Sequence, residues 1–400
     1  MIGGGPAGVF AAIEAKRADA NAQVLLLTDE ACEPYEKPPL SKTVLTGKAL
    51  PEQALVAGQG GLVAHNVVLE QTALCTAINR IKREVVTASG HSHCYDALVL
   101  ATGSLVRELP QLPPGAPRVH YLRTEADARA LASALRQSRQ LIVVGGGLIG
   151  LEAAASATEL GIKATVLEIA PRILGRVCDE ETSTIIADEH RRHGVNLRTG
   201  TAIGRAQANT SDITVTAASG ETLAADLVVV GAGVKPNDAL ATAAGLATDN
   251  GIIVDAYCRT SDPAIFAAGD AVQFPGPHGS VRLENWRHAL DQGAVAGRNA
   301  AGGTEIYRTV PSFWSEQYDL YIQGVGWPQP APGERIRRPL KGKSSLTFEI
   351  AAGVLVYAMG INAQRELAAA RRLIERRIKV DAATLADPTR PLASLLKATA

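Results

Sequence analysis

This sequence has no cysteines in redox or metal-binding pairs. The five it contains, Cys32, Cys75, Cys94, Cys178 and Cys258, are odd in number and widely scattered, with neither a C-x-x-C nor a C-x-x-x-x-C among them. That spacing argues against a disulfide framework, a structural zinc and a redox-active dithiol, and no metal site is expected. Aromatic residues are scarce, at 4 %. Neither sign of charge is in excess, since 40 Lys plus Arg balance 40 Asp plus Glu. No whole-protein field therefore draws the chain to nucleic acid or an anionic membrane. Long hydrophobic runs are missing too: no stretch approaches the roughly 18 to 20 apolar residues of a membrane span. The start lacks the charged-then-apolar plan of a signal peptide, so the expected location is cytoplasmic, with no nucleic-acid or membrane partner.

What is present describes a folded, multi-domain chain. Over 400 residues, 46 % are apolar and 20 % charged, which allows a real core. Thirty-eight glycines imply many tight turns and close approaches of the main chain. The sequence also repeats itself: Gly3-Gly4-Gly5-Pro6-Ala7-Gly8 recurs as Gly145-Gly146-Gly147-Leu148-Ile149-Gly150. Two copies of one βαβ unit are implied. In the second, Leu141 to Val144 reads as a buried parallel strand and Leu151 to Leu160 as an Ala-rich helix.

Two further apolar strands look like domain exits. Ala97 to Leu100 ends in Ala101-Thr102-Gly103, and Leu227 to Val230 ends in Gly231-Ala232-Gly233. Pro110, Pro113, Pro114 and Pro117 stiffen the linker after the first. The expected organisation is a discontinuous domain over 1–104 and 228–304 built on the first copy, an inserted domain over 105–227 built on the second, and a third domain over 305–400. In that third domain Leu346 to Ile350 and Val354 to Met359 read as strands, and Gln364 to Ile378 as a helix.

A glycine turn opening a helix sets backbone N–H groups against a pyrophosphate, and an acidic residue about 20 positions on accepts from a ribose. In the second copy Glu168 closes the strand Ala164 to Leu167 and takes that place; the alternative is a strand-end acid in water. Its charge would repel a 2′-phosphate, so NADH is expected over NADPH, although Arg172 and Arg176 lie near enough in sequence to weaken the inference. In the first copy Gly3, Gly5 and Gly8 form the turn and Asp29, after the strand Val24 to Leu27, takes the ribose. Only Met1 and Ile2 precede these glycines, so most of a first strand is missing and the site is expected to be impaired or its start misassigned. Two dinucleotides on one chain suggest FAD and NADH. Thr260 to Asp270 reads as a strand, a turn and a carboxylate followed by a helix start. Asp270 would accept from a ribityl hydroxyl, and the helix dipole would favour electron density on the flavin pyrimidine. Ala101, Thr102, Gly103 and Gly233 at the two exits, Ile149 in the second turn and Gly269 before Asp270 are counted with the cofactor-binding residues.

These glycine turns, with Ile265 to Asp270, resemble the FAD-dependent pyridine-nucleotide reductases. Pro34-Tyr35-Glu36-Lys37-Pro38-Pro39-Leu40-Ser41-Lys42 and Phe313-Trp314-Ser315-Glu316-Gln317 are similar to the ferredoxin-reductase branch. The resemblance spans essentially the whole chain. It implies an α/β fold of two Rossmann-like domains, for FAD and NAD, plus a C-terminal α+β interface domain, as in glutathione-reductase-like flavoproteins. It also implies that Ala7, Asp29, Lys42, Cys75, Arg123, Asp270 and Trp286 bind FAD. Lys42 would stand beside the isoalloxazine and stabilise the anionic reduced ring; the alternative is a solvated lysine past a proline turn. Lys37 replaces the usual Arg, losing a bidentate fork. Glu152 resembles the glutamate that reaches the nicotinamide carboxamide; the alternative is a first-turn acid on the helix dipole. Trp314 and Trp286 resemble the aromatic pair at the flavin edge, with core packing as the alternative. Hydride transfer needs no side-chain acid or base, so His190, His193 and His288 are read as solvated or structural.

No dithiol occupies the Pro39-to-Leu45 stretch, so reduced flavin would pass electrons out directly, singly, to a metal centre. From Gly333 to Lys379, eleven basic residues face four acidic ones, a docking face for an acidic [2Fe-2S] ferredoxin; the alternative is an ordinary solvated basic helix. The reading is an NADH:ferredoxin oxidoreductase that supplies a ring-hydroxylating dioxygenase or a cytochrome P450. Rubredoxin as acceptor and NADH oxidase activity are the nearer alternatives. A redox-sensing or nucleic-acid-binding flavoprotein, as in apoptosis-inducing factor, is the more distant one.

Overall fold

In the computed structural model, which describes residues 1–209, 211–330 and 335–397, the chain forms two units. The first comprises Met1–Pro38, Leu50–Leu105 and Val234–Thr309, the second Pro39–Ala49, Val106–Gly233 and Val310–Ala400.

The first unit is built on short parallel strands. Leu25–Leu27 pairs with Val68–Glu70, and Leu98–Leu100 pairs with Ile265–Ala267. Between these pairs Ile2 bridges both Leu27 and Leu100 in parallel. Its amide donates to Val99 O at 2.9 Å, and its carbonyl accepts from Ala101 N at 2.8 Å. With Leu27 N donating to Met1 O at 2.9 Å and Gly3 N to Leu27 O at 2.8 Å, these contacts set the first glycine turn between the two strand pairs. The helix Pro6–Ala18 follows that turn, with proline in the first position, where no intrahelical N–H is needed. It packs against Trp286–Ala300 at very close range. A Cβ on Gly293 would lie 2.2 Å from Ala7 O, and one on Gly297 2.1 Å from Ala11 O.

The second unit holds a five-stranded parallel sheet, in the order Asn196–Arg198, Lys163–Leu167, Gln140–Val144, Leu227–Val230, Val119–Tyr121. All four residues of Leu227–Val230 are buried, as a strand covered on both faces requires. That strand pairs on both sides within this sheet, so the crossing back lies after Gly233, not at 227. Pro39–Ala49 also belongs here although it sits inside the stretch expected for the flavin domain: Ser156 Oγ donates to Ser41 O at 2.8 Å. The C-terminal part is a five-stranded antiparallel sheet, ordered Ser312–Gln317, Leu320–Gly326, Val354–Ile361, Ser345–Ala351, Arg335–Pro339. The helix Gln364–Glu375 buries Leu367, Ala369, Ala370 and Leu373 in the core it shares with Phe348 and Leu346.

Two buried histidines carry no charge. Burial lowers the pKa of His288 to about 3 and that of His190 to about 4. Both folded values lie below the ordinary one, so the unfolded chain binds protons first as the pH falls. Each histidine's contribution to stability is complete above about pH 6.5 and declines below it, by about 2 kcal/mol at pH 5. Urea unfolding at pH 7.5 and 5.0 measures the decline, and equal free energies at the two values would contradict the neutral, buried state.

The helix crossing gives a second expectation. In an open helix Gly→Ala stabilises by about 1 kcal/mol, whereas at Gly297 the clash with Ala11 O should reverse the sign and destabilise by about 2 kcal/mol. A melting temperature for Gly297→Ala at or above the parent's would show that the backbones do not meet there.

Candidate cofactor sites

The two glycine turns have nearly the same geometry. Gly3 has φ +111° and Gly145 φ +107°, a region in which a side chain is strained. A Cβ on Gly3 would lie 2.2 Å from Ala101 O, and one on Gly145 2.3 Å from Gly231 O. Each turn thus leans on the residue where a neighbouring strand ends. A Cβ on Gly8 would strike Gly3 O, and one on Gly150 would strike Gly145 O, so each helix begins hard against its own turn.

At the middle glycines the opposite holds. A Cβ on Gly5 or Gly147 would meet nothing within 4 Å. Both residues are helix N-caps with no side-chain acceptor, so the positive ends of Pro6–Ala18 and Leu148–Glu159 are left bare. Open space before an uncapped helix N-terminus suits a pyrophosphate. The residues present therefore fit one dinucleotide in each unit.

In the second unit Glu168 accepts from Gly146 N at 2.6 Å and Ala170 N at 2.7 Å, which holds its carboxylate at the strand end beside the turn. Arg172 points away, donating to Cys178 O at 2.8 Å and Gly175 O at 3.0 Å, so its guanidinium is engaged elsewhere. Arg176 is exposed and comes near the far exit: a Cβ on Gly233 would lie 3.6 Å from its Nη2. Ile149 is 46 % exposed in the first helical turn.

In the first unit Thr28 stands where Glu168 stands in the second: a Cβ on Gly4 would meet Thr28, as one on Gly146 would meet Glu168. Asp29 is one residue further on, exposed, and close enough to Cys75 to oppose loss of its proton. Burial is the larger cause that pushes the Cys75 thiol up to about 11. Lys37 is tied locally, its Nζ 3.3 Å from both Glu30 Oε1 and the Tyr35 hydroxyl. Thr102 Oγ1 donates to Asn237 O at 2.5 Å, and Gly103 O accepts from Asn237 N at 3.0 Å. Gly269, at φ +84°, would place a Cβ 2.9 Å from that of Ala7. Asp270 Oδ2 accepts from Ser104 Oγ at 3.0 Å.

No helix starts after Asp270, contrary to expectation. The strand Val272–Gly276 follows, and the next helix begins only at Trp286, capped by Asn285. Val272 and Phe274 alternate inward, a two-residue period that suits a strand. Trp286 opens that helix, and its indole is near enough to Glu36 to oppose the rise that burial gives the Glu36 carboxyl.

A buried polar cluster lies wholly in the second unit. Glu152 is 4 % exposed on Leu148–Glu159. Its Oε2 takes the Ser41 hydroxyl and lies 3.3 Å from Lys42 Nζ; its Oε1 accepts from Ser315 Oγ at 2.5 Å. A buried carboxylate is tolerable only when paired and hydrogen-bonded, and this one is both. Lys42 and Glu152, singled out separately in the sequence, are thus one ion pair. Ser41 and Ser315 were missed as site residues, although each lies inside one of the two motifs that carry the family resemblance. Arg123 and Trp314 are in the second unit and Trp286 in the first; Arg123 N donates to Asp127 Oδ2 at 3.0 Å.

The sequence pattern of the family described as pyridine nucleotide-disulphide oxidoreductase matches residues 1–293, and that described as reductase C-terminal matches 312–396. The chain is 37 % identical over 399 residues to the anthranilate 1,2-dioxygenase system ferredoxin–NAD(+) reductase component of Burkholderia cepacia, covering 99 % of this chain and 98 % of that one. It is 34 % identical over 406 residues to putidaredoxin reductase of Pseudomonas putida, covering 100 % and 96 %. The crystal structure of the covalent putidaredoxin reductase–putidaredoxin complex matches with a TM-score of 0.93 at 33 % identity, covering 99 % of this chain and 97 % of that one.

The geometry around Glu168 makes a direct prediction. Glu168→Gln keeps the size but removes the charge, and should weaken NADH binding about tenfold while changing NADPH binding far less. Fluorescence titration with each dinucleotide measures this, and an equal loss for both would mean that the carboxylate only braces the turn.

Proposed function

We infer that this chain, which belongs to the pyridine nucleotide-disulphide oxidoreductase family, is an FAD-dependent ferredoxin–NAD(+) reductase: NADH is its electron source and a [2Fe-2S] ferredoxin its acceptor. The observation that carries the reading is the pair of bare glycine-turn helix N-termini, one in each unit, on a chain with no cysteine pair. FAD, when bound, supplies the conversion from a two-electron hydride to single electrons.

The chain's residues divide the remaining work. Gly3, Gly5 and Gly8 receive one pyrophosphate; Asp29 and Cys75 flank its adenosine side, while Gly269 and Asp270 serve its ribityl side. Gly145, Gly147 and Gly150 receive the pyrophosphate of NADH, with Glu168 on the ribose and Arg176 toward the phosphates. Glu152, fixed by Ser41, Ser315 and Lys42, takes the nicotinamide carboxamide and thereby places the ring. Lys42 adds a positive charge that favours electron-rich reduced states. The domain limits that follow are a flavin-binding part in the first unit, a nicotinamide-binding part over 106–233, and a C-terminal part from 310.

For the acceptor, the basic stretch separates into two groups. Arg335, Arg337, Arg338, Lys343 and Arg371 are paired with Glu349, Glu181, Glu366, Asp319 and Glu375. Lys341, Arg365, Arg372, Arg376, Arg377 and Lys379 are exposed, with no ion pair among the described residues; Gly333 and Glu334 lie outside those residues. Arg365, Arg372 and Arg376 recur at helical spacing opposite the buried Leu367, Ala370 and Leu373, forming one positive stripe. An acidic ferredoxin fits that stripe. The downstream user is an oxygenase, a ring-hydroxylating dioxygenase or a cytochrome P450. Among the described residues no helix is long and apolar enough to cross a membrane, and we place the protein in the cytoplasm, where NADH is supplied.

Turnover tests the assignment. NADH-driven reduction of cytochrome c should require both the flavin-loaded chain and a small acidic [2Fe-2S] ferredoxin. Arg372→Glu with Arg376→Glu should lower that rate about tenfold at low salt and leave NADH bleaching of the flavin unchanged. NADH oxidation that ignores added ferredoxin would refute the acceptor, and a ferredoxin rate indifferent to the charge reversal would refute the docking face.

A further inference from the structure

The Glu152 carboxylate is the end of a longer buried chain of hydrogen bonds, all within the second unit. Ser315 and Gln317 are two residues apart on the strand Ser312–Gln317 and so share one face. Gln317 Nε2 donates to Ser315 Oγ at 3.0 Å, and Ser315 Oγ donates to Glu152 Oε1 at 2.5 Å. With the amide nitrogen used as donor, Gln317 Oε1 is the acceptor for His190 Nε2, 2.8 Å away. His190 therefore carries its proton on Nε2. Its Nδ1 lies 3.3 Å from the Tyr318 hydroxyl, which is also 3.2 Å from Thr158 Oγ1. Thr158 is on the same helix as Glu152, so the chain closes on itself.

Ser315, Gln317 and His190 are at most 1 % exposed. Burial keeps His190 neutral, with its pKa lowered to about 4, so the ring has a single N–H to give. Apolar side chains would join these elements at lower desolvation cost. What a polar chain adds is direction: each donor from His190 onward points toward Glu152, and successive hydrogen bonds polarise one another.

We propose that His190 and Gln317 are positioning residues for NADH oxidation, holding the Ser315 hydroxyl so that Glu152 keeps the orientation in which it receives the nicotinamide carboxamide. The proposal rests on the reading that Glu152 contacts that carboxamide. Both residues act through Ser315 rather than on the reacting atoms. Neither stands out in the sequence as functional, where His190 reads as solvated or structural.

The test is anaerobic rapid mixing of flavin-loaded protein with NADH, following flavin bleaching against NADH concentration, with dithionite reduction of each variant as the reference. Gln317→Leu and His190→Leu should lower the limiting bleaching rate about tenfold while the apparent NADH affinity moves less than threefold. His190→Gln, which can still donate to Gln317, should recover most of the rate. Dithionite should reduce every variant at the parent rate. If Gln317→Leu fails to fold, the His190→Leu and His190→Gln pair, compared at equal flavin content, decides. Parent-like bleaching in His190→Leu, or equal slowing by NADH and dithionite, would overturn the proposal. So would failure of His190→Gln to exceed His190→Leu. Glu152→Gln separates the two levels: if it slows bleaching and the Leu variants do not, only the positioning role falls. If Glu152→Gln bleaches like the parent, the carboxamide reading falls and takes this proposal with it.

Discussion

A backbone oxygen pressed against a glycine Cα, used twice, is the constraint on which the rest depends. Ala101 O bears on Gly3 and Gly231 O bears on Gly145 so closely that neither glycine has room for a side chain. The strand that ends at each carbonyl thereby fixes where the turn goes, and the turn fixes where the following helix begins. Because proline or leucine follows an uncapped glycine, the amide groups of that helix end have no side-chain competitor for an anion. One steric contact thus sets the aim of a dipole in each unit, and nearly equal distances show that the solution is the same in both.

The second organising feature is electrostatic. Glu152 would be an expensive side chain to bury alone, since an unpaired carboxylate loses several kcal/mol of solvation. Two hydroxyls and an ammonium group surround it, Ser41 and Lys42 from Pro39–Ala49 and Ser315 from Ser312–Gln317. The charge ties Pro39–Ala49 into the second unit even though both flanking segments belong to the first. Packing and site chemistry share one set of contacts here.

Much of this architecture was legible in the sequence because its determinants are local. The glycine spacing, the strand before the second turn and the acid after Lys163–Leu167 lie within about 30 residues of one another, the size of one βαβ unit. The family motifs marked Lys42 and Trp314 as well. What could not be read arises from contacts between distant residues. Leu227–Val230 looks like an exit by its sequence, yet its pairing with Gln140–Val144 makes it an interior strand. The helix expected after Asp270 fails because Val272 and Phe274 pack inward with a period of two. Ser41, Ser315, Gln317 and His190 are linked only when their three segments and the helix that carries Glu152 are brought together, and nothing local in their neighbourhoods announces a hydrogen bond across 127 positions.

The turn at Tyr318 ties these points together. Gln317 pairs with Leu320 across a two-residue hairpin, and Tyr318 holds φ +57°, a conformation that costs a non-glycine residue roughly 1 to 3 kcal/mol. Its ring stacks on His193 at 3.8 Å, and its hydroxyl reaches Thr158. Strand side chains alternate, so slipping this hairpin by a single residue would exchange Ser315 and Gln317 for Trp314 and Glu316 on the inner face. The parity of one β-turn therefore decides whether the buried carboxylate meets a hydroxyl donor or a second acid, and an aromatic ring anchored outside the sheet keeps the count correct.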